Sequence, residues 1–233
     1  MASSRTARER ARAEIQSEIM RVGRAQLGEV GAAALSLRAV ARELGMVSSA
    51  VYRYVASRDE LLTRLIDDAY NSLGDSVEAA VAASVESAPR ERWLRGARAT
   101  RTWALDHVHE YSLLYGSPVP GYEAPESTSV SGTRASRALI GIVRDAVSSG
   151  QLVRTDGPGV DVPTALADEF DTLRSEIDLE VDDALLLDLL TAWSQLFGLI
   201  SFEVFGQTRG VVTSHDLLFD NATLRMADVI GLS

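Results

Sequence analysis

The chain contains no cysteine, and this absence excludes several kinds of function. Without thiols there is no disulfide framework, no thiol nucleophile, no thiol redox sensor and no cysteine-type zinc site. Lysine is also absent, so all 23 basic residues are arginine, and histidine occurs only three times. The G-x-S-x-G motif of hydrolases and the phosphate-binding loop of nucleotide enzymes are missing as well. The sequence therefore offers little support for an enzyme.

Long uninterrupted apolar runs are also absent. The most apolar stretch, residues 184–202, contains Asp188 and Gln195 and is better interpreted as a buried helix than as a membrane span. The first twelve residues are polar and rich in arginine, with no apolar run behind them, so they do not have the pattern of a secretory signal. We therefore expect a cytoplasmic protein that does not contact a membrane.

The charge of the chain is distributed unevenly. The net charge is −10 at pH 7. Residues 1–58 nevertheless hold ten arginines and five acidic residues, a net charge of +5, whereas the remaining 175 residues hold 13 arginines and 28 acidic residues, a net charge of −15. A basic end on an acidic body is typical of a protein that meets phosphates with one end only. A chance asymmetry of surface charge is the alternative.

Residues 36–58 have the pattern of short helices joined by a tight turn. Apolar residues recur at helical spacing and predict one buried face: Leu37, Val40, Ala41 and Leu44. Gly45 follows at the position where a helix most easily ends. A second short helix is predicted over residues 47–54, and a third begins at the capping box Ser57 to Glu60. This arrangement is typical of a helix-turn-helix, with a generic helical hairpin as the alternative.

The same stretch closely resembles the DNA-binding segment of the TetR family of bacterial transcriptional regulators. The resemblance is carried by Leu35-Ser36-Leu37-Arg38, Val51-Tyr52-Arg53-Tyr54 and Ser57-Arg58-Asp59-Glu60-Leu61-Leu62. The family usually has serine or threonine where Val47 stands, so we expect Ser48 or Ser49 to cap the recognition helix instead. The candidates for contacts with base edges or the groove are Arg38, Ser48, Ser49, Ala50 and Arg53. Matching family positions imply phosphate contacts for Ser36, Tyr52, Tyr54 and Arg58.

The rest of the chain predicts further helices and no strand. These helices cover residues 6–28 (opened by a capping box at Thr6 to Glu9), 58 to about 85, 90–111, 135–149, 164–179, 182–205 and 214–230. Pro89 suits the first turn of its helix. Three segments interrupt the pattern: a proline-rich piece at 117–125, a small polar piece at 127–132 that we expect to be mobile, and a Gly/Pro loop at 156–163.

The helix at 182–205 is apolar on two sides, which requires burial on both. The protein core can cover one side, and a partner subunit is the natural cover for the other. We therefore expect a homodimer through this helix and the one at 164–179.

The same helix resembles the WHG-type C-terminal ligand-binding domain of TetR regulators. The resemblance is carried by Trp193-Ser194-Gln195-Leu196-Phe197-Gly198 and Phe202-Glu203-Val204-Phe205-Gly206. That resemblance implies a small-molecule effector in the body of the protein. The candidate ligand-binding residues are Trp103, His107, Tyr111, Tyr115, Trp193 and Phe197.

A cluster of Asp106, His107, His109 and Glu110 raises the question of a metal or acid–base site. On one helix, His107 and His109 point to different faces and cannot share a metal as an i, i+4 pair would. We therefore expect no metal, no cofactor and no catalytic residue. An enzyme or metal-binding sensor that uses the His107 cluster, and an adaptor that contacts protein instead of DNA, remain as alternatives.

The sequence as a whole predicts an all-α fold. Residues 1–57 are predicted to form a three-helix helix-turn-helix DNA-binding domain, and residues 58–233 a helical bundle for ligand binding and dimerisation, with the helix from 58 to about 85 connecting the two. The predicted function is that of a ligand-responsive transcriptional repressor, released from a palindromic double-stranded DNA operator by a largely apolar small molecule.

Overall fold

The fold is all-α, as the sequence predicts. A computed structural model describes residues 2–126, 128–153 and 162–233. Within these ranges the helices are α1 (Ala2–Val30), α2 (Leu37–Glu43), α3 (Ser48–Val51), α4 (Arg58–Ala82), α5 (Pro89–Asp106), α6 (Val108–Tyr115), α7 (Thr128–Gly132), α8 (Arg134–Ser148), α9 (Thr164–Ile177), α10 (Asp183–Val204) and α11 (His215–Ile230). A short 3₁₀ turn, Ala32–Ala34, precedes α2. Extended pairing in the described ranges is limited to one bridge between Leu152 and Leu232.

The helices group into two compact units. Unit 1 comprises Met1–Ser72 and His107–Gly132, and unit 2 comprises Leu73–Asp106 and Thr133–Ser233. Unit 1 therefore contains α6 and α7 in addition to the helices of the predicted DNA-binding domain. The predicted functional division after residue 57 is a separate question and stays a prediction.

Unit 1 is built around an aliphatic core at the junction of α1, α2, α3 and α4. Its fully buried members include Ile19, Val22, Leu37, Val40, Ala41, Val51, Val55, Leu61 and Leu65. Leu113 of α6, together with Val119 and Tyr122 of the proline-rich segment, packs against this core. The hydroxyl groups of Tyr122 and Thr63 are 2.9 Å apart and hydrogen-bonded, which ties the segment to α4.

The first helix begins earlier than predicted. It extends from Ala2 to Val30, so Thr6 lies inside the helix and is not its N-cap. A capping-box pattern marks a helix start only where the preceding residues cannot continue the helix. Residues 2–5 contain neither proline nor glycine, and the helix therefore extends past the box.

The predicted end of the helix over residues 90–111 is wrong. The helix expected over 90–111 ends at Asp106, and α6 starts at Val108 after His107 leaves helical geometry with φ −127° and ψ 51°. The helix breaks there because its two halves pack in different units. The segment at 127–132, expected to be mobile, carries the helix α7, in which Thr128 and Ser131 are buried. The Ser131 hydroxyl donates to the Asp67 carboxylate at 2.8 Å, and this bond anchors α7 to α4.

Unit 2 is a bundle in which α5 contacts α8, α10 and α11. Asp182 caps α10 by accepting a hydrogen bond from the Leu185 amide at 2.7 Å. The Arg101 guanidinium of α5 pairs with both oxygens of Glu203 on α10, at 2.7 and 2.6 Å. The Gly/Pro loop predicted at 156–163 lies, up to residue 161, outside the described residues.

Helix α10 is buried on one side only within this chain. Its buried residues are Leu185, Leu186, Leu189, Ala192, Leu196 and Ile200, whereas Leu190, Trp193 and Phe202 are exposed. By length and composition the helix is apolar enough to cross a membrane, but the core helix of a soluble protein passes the same test. Part of the apolar surface of α10 is thus not covered within the single chain, and its burial by a partner subunit stays a prediction.

Candidate DNA-binding surface and effector cavity

The turn between α2 and α3 is a Schellman motif at Gly45. Gly45 has φ +64°, a left-handed conformation that glycine adopts at little cost. The amide of Met46 donates to the Ala41 carbonyl at 2.9 Å, and the amide of Gly45 donates to the Arg42 carbonyl at 3.2 Å. These bonds satisfy the last carbonyls of α2 and set the direction in which α3 leaves. The predicted role of Gly45 is confirmed.

The start of α3 differs from the prediction. The N-cap is Val47, with φ −70° and ψ 142°, and no side chain caps the helix. Ser48 and Ser49 are already helical residues and therefore do not replace the missing serine or threonine. Val47 is 70% exposed. Helical hydrogen bonding continues past Val51, because the amides of Tyr52 and Val55 donate to the carbonyls of Ser48 and Val51, both at 3.1 Å.

The predicted DNA-contacting residues share one feature: none of them belongs to the buried core. Arg38 on α2, and Ser49, Tyr52 and Arg53 on α3 and the following turn, are exposed. Ser36, Ser48, Ala50, Tyr54 and Arg58 are half-buried. Val51 provides the anchor on the opposite side of α3, since it is completely buried. The backbone thus presents polar, aromatic and cationic side chains of α2 and α3 to solvent, which suits a reader of bases and phosphates.

Arg58 is engaged within unit 1. Its Nη2 donates to the carbonyls of Ala32 and Ala33 at 3.0 and 3.2 Å, and its Nη1 lies 3.4 Å from the Asp59 carboxylate. The side chain therefore braces the 3₁₀ turn ahead of α2. Its assignment to a phosphate remains a prediction.

The start of α4 is capped as predicted. The Glu60 amide donates to the Ser57 hydroxyl at 3.0 Å, and the Ala56 amide donates to the Glu60 carboxylate at 2.6 Å. The bond from Ala56, together with the nearby Arg64 guanidinium, holds the pKa of Glu60 below its usual value. The reciprocal bond of this capping box thus reaches one residue further back than the standard pattern.

Arginines of α1 extend the exposed basic surface. The Arg12 guanidinium lies over the Tyr54 ring, 5.7 Å from the ring centre. A shallow groove runs between the first turns of α1 and the end of the helix-turn-helix, and it is lined by Arg8, Glu9, Ala11, Arg12, Ile15, Arg53 and Tyr54. The cluster of arginines near the chain start is the sequence signal for this neighbourhood, although no site residue was assigned there.

Unit 2 contains an apolar cavity of about 270 Å³ between α5, α8, α9 and α10. Its walls are mostly aliphatic, and the lining residues include Leu139, Ile140, Leu173, Ile177, Leu186, Leu189, Leu190 and Leu196. Trp93 and Trp193 also line it, as do the charged residues Arg137 and Glu176. Small-molecule sites have this character, a mainly apolar lining with a few polar groups, although the volume of this cavity lies just below their usual range.

The six predicted ligand-binding residues fall into both units. Trp193 lines the cavity, and the ring of Phe197 lies 5.6 Å from that of Trp193. Trp103 is buried in unit 2 but does not line this cavity. His107, Tyr111 and Tyr115 lie in unit 1, where the rings of Tyr111 and Tyr115 are 5.0 Å apart and burial raises the pKa of Tyr115. The structure therefore brings together only part of the predicted set.

Several lining residues are not among the ligand-binding residues predicted from the sequence, above all Trp93, Arg137 and Glu176. Trp93 lies in the helix predicted over 90–111, and helical periodicity does not distinguish a cavity wall from a packed core. No group of three potential metal ligands comes together in the described ranges, at the His107 cluster or elsewhere. The His109 ring instead packs across Gly28, 3.0 Å from the point where a side chain at Gly28 would begin.

A helix-turn-helix in one unit and an apolar cavity in another define a helical DNA-binding regulator. Comparison with known proteins gives the family. Residues 19–65 match the family described as "Bacterial regulatory proteins, tetR family", and residues 93–226 match "Tetracyclin repressor-like, C-terminal domain". The chain belongs to the TetR family of transcriptional regulators, and the predictions of a DNA-binding regulator and of a protein that is not an enzyme are confirmed.

Individual relatives resemble the chain over nearly its full length. The HTH-type transcriptional regulator Rv1816 of Mycobacterium tuberculosis is 41% identical over 95% of this chain and 94% of its own. Among solved structures, the regulatory protein SCO4313 matches with a TM-score of 0.75 and 35% identity, over 94% of this chain and 98% of that one. A protein of unknown function from Rhodococcus sp. RHA1 has the same fold, with a TM-score of 0.65 and 24% identity over 93% and 94% of the two chains.

Proposed function

We propose that this protein is a homodimeric, cytoplasmic repressor that leaves a palindromic operator when a small, mainly apolar molecule occupies the cavity of unit 2. The observation that carries the proposal is that cavity, because it lies in the matched C-terminal domain, apart from the DNA-binding surface. In this proposal residues 1–57 bind DNA, residues 58–233 bind the effector and the second subunit, and α4 belongs to both units.

The DNA-binding surface is proposed to use Tyr52 and Arg53 as its central contacts. Both side chains are exposed at the end of the helix-turn-helix, above a core anchored by Val51. Tyr52→Ala should weaken binding to all duplexes alike, as the loss of a phosphate contact does, whereas Arg53→Ala should also relax sequence preference if the guanidinium reads a base. Arg209→Ala, an exposed arginine of unit 2, is the matched control.

Binding is measured by titrating fluorescent duplexes from upstream of the protein's own gene at several salt concentrations. Affinity should fall steeply as salt rises, because arginines that neutralise phosphates release counterions. Salt-independent binding, or an Arg209→Ala defect as large as that of Tyr52→Ala, would contradict the assignment of this surface.

The dimer is proposed to form through the exposed apolar side of α10, together with α9. Leu190 and Phe202 present large apolar side chains to solvent in the single chain, and obligate interfaces cover such surfaces. Phe202→Glu should give a monomer or an aggregate in light scattering, whereas Gln207→Glu, which adds the same charge in the turn after the helix, should leave the dimer intact. A stable monomer of the unmodified protein would show that the assembly is wrong.

Release requires that the effector bind the DNA-incompetent state more tightly than the DNA-bound state, since equal affinity for both shifts nothing. Couplings of this kind are typically about 1–3 kcal/mol, or roughly 5- to 150-fold in DNA affinity, and they are reciprocal. The test is a thermal-shift screen of small molecules followed by operator titration with each hit. Operator affinity that stays constant when the cavity is filled would refute release.

A further inference from the structure

We propose that the effector is a neutral, mainly apolar molecule with a hydrogen-bond-accepting oxygen, and that this oxygen accepts a hydrogen bond from Nε1 of Trp93. The inference rests on the proposed function, because it specifies the ligand of the same cavity. It concerns the chemistry of the bound molecule, whereas the proposed function concerns what binding does to DNA affinity.

The indole nitrogen of Trp93 is the observation that points to a ligand. Trp93 lies on α5, lines the cavity and is only 3% exposed. Its Nε1 is closed off from solvent and has no hydrogen-bond partner among the described residues. Buried tryptophan N–H groups normally find an acceptor, because an unmade bond leaves the desolvation of the donor uncompensated. A donor without an acceptor in a residue that lines a cavity can be satisfied by a bound molecule.

Trp193 provides a comparison within the same cavity. It also lines the wall, but 46% of the residue is exposed in the single chain. Because Trp193 is open on its outer side, its N–H can find an acceptor outside the cavity, whether or not the cavity is filled. A ligand oxygen thus gains more by meeting Trp93 than by meeting Trp193.

The lining also indicates that the accepting oxygen is uncharged. Most of the lining consists of leucine and isoleucine side chains, and placing a carboxylate among them would cost its hydration without a buried cation in return. The two charged residues of the lining, Arg137 and Glu176, are both exposed and of opposite sign, so together they offer no net charge. A ketone, ester, lactone or quinone oxygen satisfies the donor without that cost.

Three naphthalenes of nearly equal shape test the proposal. The ketone 2-acetylnaphthalene carries the acceptor, 2-isopropylnaphthalene replaces it by a methyl group, and 2-naphthoate carries a charge. Calorimetric titration of the full-length protein should show that the ketone binds roughly tenfold more tightly than the hydrocarbon, the size expected of one hydrogen bond to a buried donor. The naphthoate should bind more weakly than the ketone.

Two variants separate the donor from the ring. Trp93→Phe removes the N–H and keeps an aromatic wall, so it should abolish the preference for the ketone over the hydrocarbon. Trp193→Phe removes an indole N–H from the same cavity and should keep the preference. Ile140→Trp, which fills the cavity, should prevent binding of all three probes.

Equal affinity of the unmodified protein for the ketone and the hydrocarbon would overturn the proposal without recourse to any variant. So would a preference that persists in Trp93→Phe, tighter binding of the naphthoate, or no binding of any probe. Operator titration in the presence of the ketone distinguishes this inference from the proposed function. A ligand whose binding depends on Trp93 but which leaves DNA affinity unchanged supports the proposed ligand chemistry and refutes release. A molecule that releases DNA independently of Trp93 supports release and refutes the proposed ligand chemistry.

Discussion

The contact between Arg101 and Glu203 makes a sharp prediction about the stability of unit 2. The two side chains are only 12% and 16% exposed, and they join α5 to α10 through two short N–H···O bonds. Arg101 also contacts Asp216 at 2.7 Å, but that carboxylate is 86% exposed. Glu203→Gln keeps the shape of the side chain and removes its charge. It therefore leaves a largely buried guanidinium with one solvent-screened partner.

The expected size of the effect follows from burial. Breaking a buried ion pair by removing one partner costs about 3–5 kcal/mol, whereas exposed pairs contribute about 0–1 kcal/mol. Because Asp216 and the Phe219 ring, 5.3 Å from the guanidinium carbon, remain beside Arg101, the cost should be about 2–3 kcal/mol. For a unit of this size that is a fall in melting temperature of roughly 4–12 °C.

The assay is thermal and urea unfolding of the full-length protein at one fixed protein concentration, since oligomer stability depends on concentration. Asp216→Asn is the matched control and should cost less than about 0.5 kcal/mol because its carboxylate is exposed. The double variant Arg101→Met, Glu203→Met should be less destabilised than Glu203→Gln, since it leaves no uncompensated charge. A Glu203→Gln protein within about 0.5 kcal/mol of the unmodified one would refute the reasoning.

Three further perturbations test other local features. Val47→Ser should supply the missing N-cap of α3 and stabilise unit 1 by about 1 kcal/mol in urea unfolding; an unchanged midpoint would show that no backbone amide of α3 donates to the serine hydroxyl. Gly45→Ala should destabilise by about 1–2 kcal/mol, since alanine at φ +64° is strained, and circular dichroism during thermal unfolding measures it. Arg98 holds the pKa of Asp220 below its usual value, so the stability contributed by this carboxylate is complete above about pH 4 and lost as pH falls further through the lowered pKa. Asp220→Asn should therefore flatten the acid side of the stability profile.

The parts of the fold that the sequence predicted are those with local signals. The helix-turn-helix could be recognised because its apolar spacing, its turn glycine and the capping serine, Ser57, all lie within 23 residues. The starts of α5 at Pro89 and of α10 after its N-cap Asp182 also have local signals, since each of these residues acts on its own helix end.

The features that the sequence missed depend on contacts between distant residues. His107 interrupts a stretch without proline or glycine, at the point where α5 packs in unit 2 and α6 packs on α1 in unit 1. Trp93 and Trp193, which both line the cavity, lie about a hundred positions apart in the sequence. Helical periodicity identifies which side of a helix is buried but not which neighbour covers it, so a cavity between four helices has no one-dimensional signature.

The composition of unit 1 from two separate pieces of chain has a consequence for synthesis on the ribosome. The apolar side chains Leu113, Val119 and Tyr122, which pack on the core of α1 to α4, are translated only after the whole of α5. The recognition helix therefore emerges tens of residues before its unit can close, and the contacts that complete the unit have a large sequence separation. A nascent chain arrested before residue 107 should expose this part of the core to protease or chaperone, and one long enough for residues 107–132 to have left the ribosomal exit tunnel should not.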